Sequence, residues 1–202
     1  MKNEDQGKKP KPLVVQLGAA EERSQALSVT PWKSYSFAPE WYQDALQEAE
    51  VGDDHGSRRR EILFAVCCVE SYLFEWVRDE VLNRDFKRLS TYFPQRDRRG
   101  IRERWKEVTG AVHDDGLIRG VPDLGSLNWS EFTSLVEYRD GLVHGKSSRP
   151  DTHALQEEEK PLPSKSDLDG LTPGWAVTVI DSLIRDLHMV SGTKPPSWVR
   201  EA

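Results

Sequence analysis

The chain has 202 residues, 37% of them hydrophobic and 31% charged, with a formal net charge of −6. That length holds one well-buried domain and an appended segment. The acidic balance argues against a protein that coats nucleic acid nonspecifically, but it leaves room for a local phosphate site. The longest apolar run, ILFAVCCVESYLFEWV, is too short and too interrupted by Glu70 and Glu75 to span a bilayer. The opening MKNEDQGKKPKP lacks the apolar stretch of a signal peptide. A cytoplasmic protein with no membrane partner is expected, and the adjacent Cys67 and Cys68 read as small core residues of a reducing compartment.

Residues 1–37 show little periodicity and read as an N-terminal arm, extended or partly ordered. APEWYQDALQEAE (38–50) opens with a proline suited to a first helical turn and predicts a short helix, which VGDDHGS then breaks. Ser57 is the expected N-cap of the longest helix, about 58–83. Its apolar stripe of Ile62, Val66, Val69, Leu73 and Trp76 is widened by Leu63, Cys67, Phe74, Val77 and Val81, which marks a central core helix. Within that stripe stands Glu70, a carboxylate that if buried must be paired or protonated, and that otherwise is a structural ion pair or snorkels at the helix edge. Glu75 falls nearer the polar margin.

A third helix is predicted over 96–112, beginning in RDRRGIRERWK, which holds six basic and two acidic residues. A Gly- and Pro-containing loop follows, and Asn128 with Glu131 suggests a capping arrangement opening a fourth helix over 129–144. Residues 145–172 form a long polar connection. Thr172-Pro173 then starts the last helix, with Ala176, Val179, Ile180, Leu183, Leu187 and Val190 at helical spacing. The expected fold is all-α: an up-and-down bundle of four main helices and a short N-terminal one, spanning 38–192, with 193–202 as a C-terminal tail.

The stretch EFTSLVEYRDGLVHG (131–145) departs from ordinary core-helix chemistry. At ~100° per residue, Phe132, Val136, Arg139 and Val143 lie within about 60° of one another, so Arg139 occupies a core-facing position. A buried guanidinium needs an anion or a cleft. Asp140 and His144 are four residues apart and share a face, so the carboxylate can orient the imidazole. Arg139 and His144 are separated by ~140° and ~7.5 Å along the axis, and so flank a space rather than touch.

The arrangement Arg139-Asp140-x-x-x-His144, closing the penultimate helix, resembles the signature of the HEPN superfamily, and AVCCVESYLFEWV resembles that family's core helix. The resemblance covers roughly 38–190. It implies a HEPN-like bundle and a metal-independent endoribonuclease that cleaves RNA by attack of the ribose 2′-OH on the adjacent phosphate, in the manner of a prokaryotic toxin or defence-related RNase. In this reading His144 transfers protons, Arg139 holds the scissile phosphate and Asp140 orients one of them. Glu70 and Ser71 face the motif helix and position Arg139, while Tyr138 and Lys146 flank the motif in support. Neither a cofactor nor a metal is implied. The implied partners are RNA, a second copy of the chain completing a composite site, and an antitoxin or defence-system protein. The alternative is a non-catalytic HEPN domain that binds a protein or nucleotide. The two Asp-Asp-His loops, GDDHG and HDDG, also raise a metal-dependent phosphohydrolase, but Asp-Asp-Gly is ordinary turn chemistry and no spaced ligand set accompanies it.

Overall fold

The computed structural model describes residues 36–52, 54–144 (excluding the side chain of His144), 167, 168 and 170–200. The arm 1–35 and the connection 145–166 lie outside the described residues. Among those described, the structure is all-α, with six helices and no strand. They are α1 (Ala38–Val51), α2 (His55–Trp76), α3 (Phe86–Tyr92), α4 (Ile101–Asp114), α5 (Leu127–His144) and α6 (Trp175–Ser191). No helix among the described residues is long and apolar enough to cross a membrane.

The central helix α2 packs against α1, α5 and α6. It begins three residues earlier than its expected start. Asp54, rather than Ser57, is the cap, and its carboxylate accepts the Ser57 backbone N–H at 2.8 Å. A π-helical turn, Val77–Val81, extends α2, and Leu82 N–H closes it on the Val77 carbonyl at 2.9 Å. Asn83 and Arg84 then take positive φ to turn the chain into α3, a short helix that the sequence pattern did not predict.

Two glutamates of α2 set the directions of its neighbours. Glu75 is buried, and it accepts a hydrogen bond from the Ser36 hydroxyl together with the backbone N–H groups of Phe37 (2.6 Å) and Ala38 (3.3 Å). It thus satisfies donors at the start of α1 that the helix itself cannot. Glu61, also buried, does the same for α6 through Gly174 N–H (3.2 Å) and Ala176 N–H (2.9 Å). Fourteen residues separate the two, ~21 Å along one face. Consequently α1 starts at the C-terminal end of α2 and runs against it, whereas α6 starts at the N-terminal end and runs with it.

Ser126, not Asn128, caps α5, since its hydroxyl accepts Trp129 N–H at 3.2 Å. Asn128 instead donates to Asp186 of α6 at 2.8 Å, and Tyr138 packs edge-on against Trp175 at the start of α6. These contacts, one near each end, make α5 antiparallel to α6.

The segment after α6, expected to be a tail, belongs to the core as far as residue 200. Trp198 packs on Tyr42 and Tyr72, Val199 is buried, and Arg200 Nε donates to the buried Asp181 at 2.8 Å. Tyr42 donates its hydroxyl to the other oxygen of Asp181 at 2.7 Å.

Candidate functional site

Helix α5 leaves the core as it runs toward its C-terminus. Along its inward stripe, Phe132 and Val136 are buried, the Arg139 side chain is 20% exposed, and Val143 is 53% exposed. Arg139 keeps the inward direction of that stripe, only partly buried, and stands beside anions at a cleft. The helix outlasts the body it packs on, and Arg139 stands where the stripe emerges. It lines an open groove of about 420 Å³ between α4 and α5, with Val136, Asp140, Gly100, Ile101, Arg102 and Glu103 as the other walls.

Trp105 fixes the α4 wall. Its indole N–H donates to the Val69 carbonyl of α2 at 3.3 Å, and its ring packs on Phe132 of α5. This pin brings Arg104 beside Glu70. A series of alternating charges then runs on from Arg139 at the groove's edge. Arg139 meets Asp140 at 3.0 Å and Glu70 at 3.7 Å, and Glu70 meets Arg104 at 3.7 Å. Arg104 meets Asp97 at 3.2 Å, Asp97 meets Arg99 at 2.8 Å, and Arg99 reaches Glu107 at 3.1 Å. The Arg99 guanidinium holds the Asp97 carboxyl well below the usual carboxylate range, and Asp97 in turn raises Arg99. Cys67 lies near the same charges, and burial, reinforced by Glu70, pushes its thiol up.

The two glutamates singled out from the sequence exchange places. Glu70 is not buried: its side chain is 38% exposed and lies between two guanidinium groups. Glu75, assigned to the polar margin, is the buried one. The π-turn at the end of α2 and the arrival of α1 over Glu75 cover a face that helical periodicity alone counts as peripheral.

Arg139, Asp140 and Glu70 are thus brought together. Ser71 is half-buried and makes no hydrogen bond to Arg139 among the described residues, and Tyr138 packs on Trp175. His144 is the last residue of α5, on the helical turn after Arg139 and Asp140. Its side chain and Lys146 lie outside the described residues. Among the described residues no group of His, Cys, Asp and Glu side chains is arranged to hold a metal ion. Arg104 and Asp97 escaped the sequence reading. The available signal was a lone aspartate among arginines in RDRR, which marks an organising carboxylate inside a basic run.

His188, by contrast, is a closed histidine. It is fully buried, its Nε2 meets the Tyr72 hydroxyl and its Nδ1 meets Thr193 Oγ1 at 2.5 Å. Burial lowers its pKa to about 4. With both ring nitrogens partnered and no exposed surface, its chemistry is that of a satisfied core histidine. Comparison with known proteins adds no assignment: no family model, curated protein or solved structure matches the chain.

Proposed function

We propose that the chain is a HEPN-type, metal-independent endoribonuclease whose active site is the α4–α5 groove. The observation that carries this reading is the placement of Arg139, mostly buried but open to the groove, with its guanidinium oriented by Asp140 and Glu70. A positioned but incompletely neutralised guanidinium suits the scissile phosphate, whose charge grows in the transition state. His144, on the next turn of the same helix, takes the proton from the ribose 2′-OH or delivers one to the leaving 5′-oxygen. The 2′-oxygen bonds to phosphorus as the bond to the 5′-oxygen breaks, leaving a 2′,3′-cyclic phosphate and a 5′-hydroxyl. Glu70, shared between Arg139 and Arg104, acts as a positioning residue.

The exposed Val143, at the end of the inward stripe, supports a second protomer covering this end of α5 in a homodimer with a composite site. Such an interface buries ~1,200 Å² or more, and sedimentation at micromolar concentration checks it. A strictly monomeric yet fully active protein would contradict the composite site. The activity itself is tested by incubating purified protein with mixed RNA in the presence of a chelator. Cleavage to cyclic-phosphate ends that is blocked by 2′-deoxy substitution at the cut is expected. Cleavage that requires added metal, or that proceeds on the deoxy-substituted strand, would overturn the mechanism.

A further inference from the structure

The span from residue 84 to residue 106 holds nine basic and three acidic residues in a chain whose net charge is −6. Its acids are mostly engaged with other groups. Asp85 caps α3 through the N–H groups of Lys87 and Arg88. Asp97 is enclosed by Arg99 and Arg104. On the facing helices, Glu70 and Asp140 are held by Arg139, and Glu137 meets Arg102 at 3.1 Å.

The cations left over are Lys87, Arg96, Arg98 and Lys106. All four are exposed, and among the described residues none of their side chains makes a hydrogen bond or ion pair. The two arginines belong to the segment that enters the groove wall at Gly100, anchored by Arg99 Nη2 on the Tyr92 carbonyl at 2.9 Å and by the bidentate Arg99–Asp97 pair. Lys106 follows Arg102 by one helical turn on the same face of α4. The fold thus fixes the backbone of this segment while leaving two of its guanidinium groups without counter-charge. Glu103, exposed on the groove wall, is the opposing charge.

We propose that this edge, Arg96, Arg98 and Lys106, is a track for the phosphodiester backbone of a single RNA strand beyond the nucleotides in the groove. The inference rests on the proposed nuclease reading for the identity of the polyanion. Unpaired cations on the anchored segment and on α4 recognise phosphates spaced along a strand, and their attraction is sequence-independent and set by counterion release. A single strand fits better than a duplex because the neighbouring groove, at about 420 Å³, has room for nucleotides but not for a double helix.

The test is fluorescence anisotropy of the full chain with a 2′-O-methyl oligonucleotide, which can be bound but not cleaved. The Arg96→Gln/Arg98→Gln double variant is expected to bind about tenfold more weakly at moderate salt. The slope of log K against log salt should fall by ~1.4, since each single-strand phosphate contact contributes ~0.7. Glu103→Gln should tighten binding. Circular dichroism confirms that each variant is folded. Unchanged affinity and salt slope in the double variant, or no binding by the wild type, would overturn the proposal. Binding that depends on Arg96 and Arg98 without any RNA cleavage leaves the track standing and removes the nuclease reading. Cleavage that is indifferent to both arginines, in binding and in rate, does the reverse.

Discussion

At the seam of α1, α2, α6 and the C-terminal segment, four buried polar residues find their partners inside the protein. Glu75 and Glu61 accept backbone N–H groups, Asp181 is shared by Tyr42 and Arg200, and His188 lies between Tyr72 and Thr193. At the α4–α5 groove, Arg139 and Glu70 are only partly buried, and Arg139 meets Asp140 at 3.0 Å and Glu70 at 3.7 Å at the edge of open space. A carboxylate closed by helix N-termini is spent on the fold, whereas a guanidinium held at a rim can still meet an anion. The contrast separates residues that hold the protein together from residues available for chemistry, even where both are charged and on the same helix.

The largest expected effect on stability breaks the closed side. Glu75→Ala leaves the donors at the start of α1 without their acceptor and should cost about 3 kcal/mol. Glu70→Ala should cost less than about 1 kcal/mol, because its ion pairs are partly solvated. Urea denaturation of the two variants checks the difference, and equal losses would erase the distinction between the two regions.

The next effect depends on pH. His188 titrates at about 4 when folded, below its ordinary 6.5. The unfolded chain therefore binds the proton first as pH falls, and the stability this histidine contributes is full above about 6.5 and lost toward 4. That amounts to about 2 kcal/mol between pH 7 and pH 5. A His188→Gln variant should show a correspondingly flatter loss over the same interval, and identical pH profiles would remove the role.

A smaller effect than these two losses is expected for Tyr42→Phe, which takes one of the donors from Asp181 and should cost about 1 kcal/mol by thermal or chemical denaturation, with the groove undisturbed.

Periodicity made the long core helix, the last helix and the inward stripe of the motif helix legible in the sequence. Apolar spacing reports which face a helix buries, and those faces are buried by neighbours along most of their length. It failed at the ends. Arg139 counts as core by angle but stands where α5 outruns its support, and Glu75 counts as marginal by angle but lies beneath the incoming α1. The caps were misplaced by a few residues at Asp54 and Ser126 because several polar side chains at each start can accept an N–H, and only tertiary context chooses among them. The ion-pair series through Arg104 and Asp97 was not legible, since it joins α2, α4, α5 and a loop. Its only trace in the sequence was one aspartate in a basic run. Trp198 and Val199 were invisible for a related reason: two apolar residues without a repeat carry no period.

The measurement that tests the central claim most directly is RNA cleavage by the Arg139→Ala and His144→Ala variants, with helical content and melting recorded on the same samples. Each variant should lose cleavage by ~10²–10⁴ while remaining folded, and Asp140→Asn should lose less, because an amide can still orient its neighbour by a hydrogen bond. A folded His144→Ala variant that cleaves RNA at the wild-type rate would contradict the account, leaving the groove as a binding surface without catalysis.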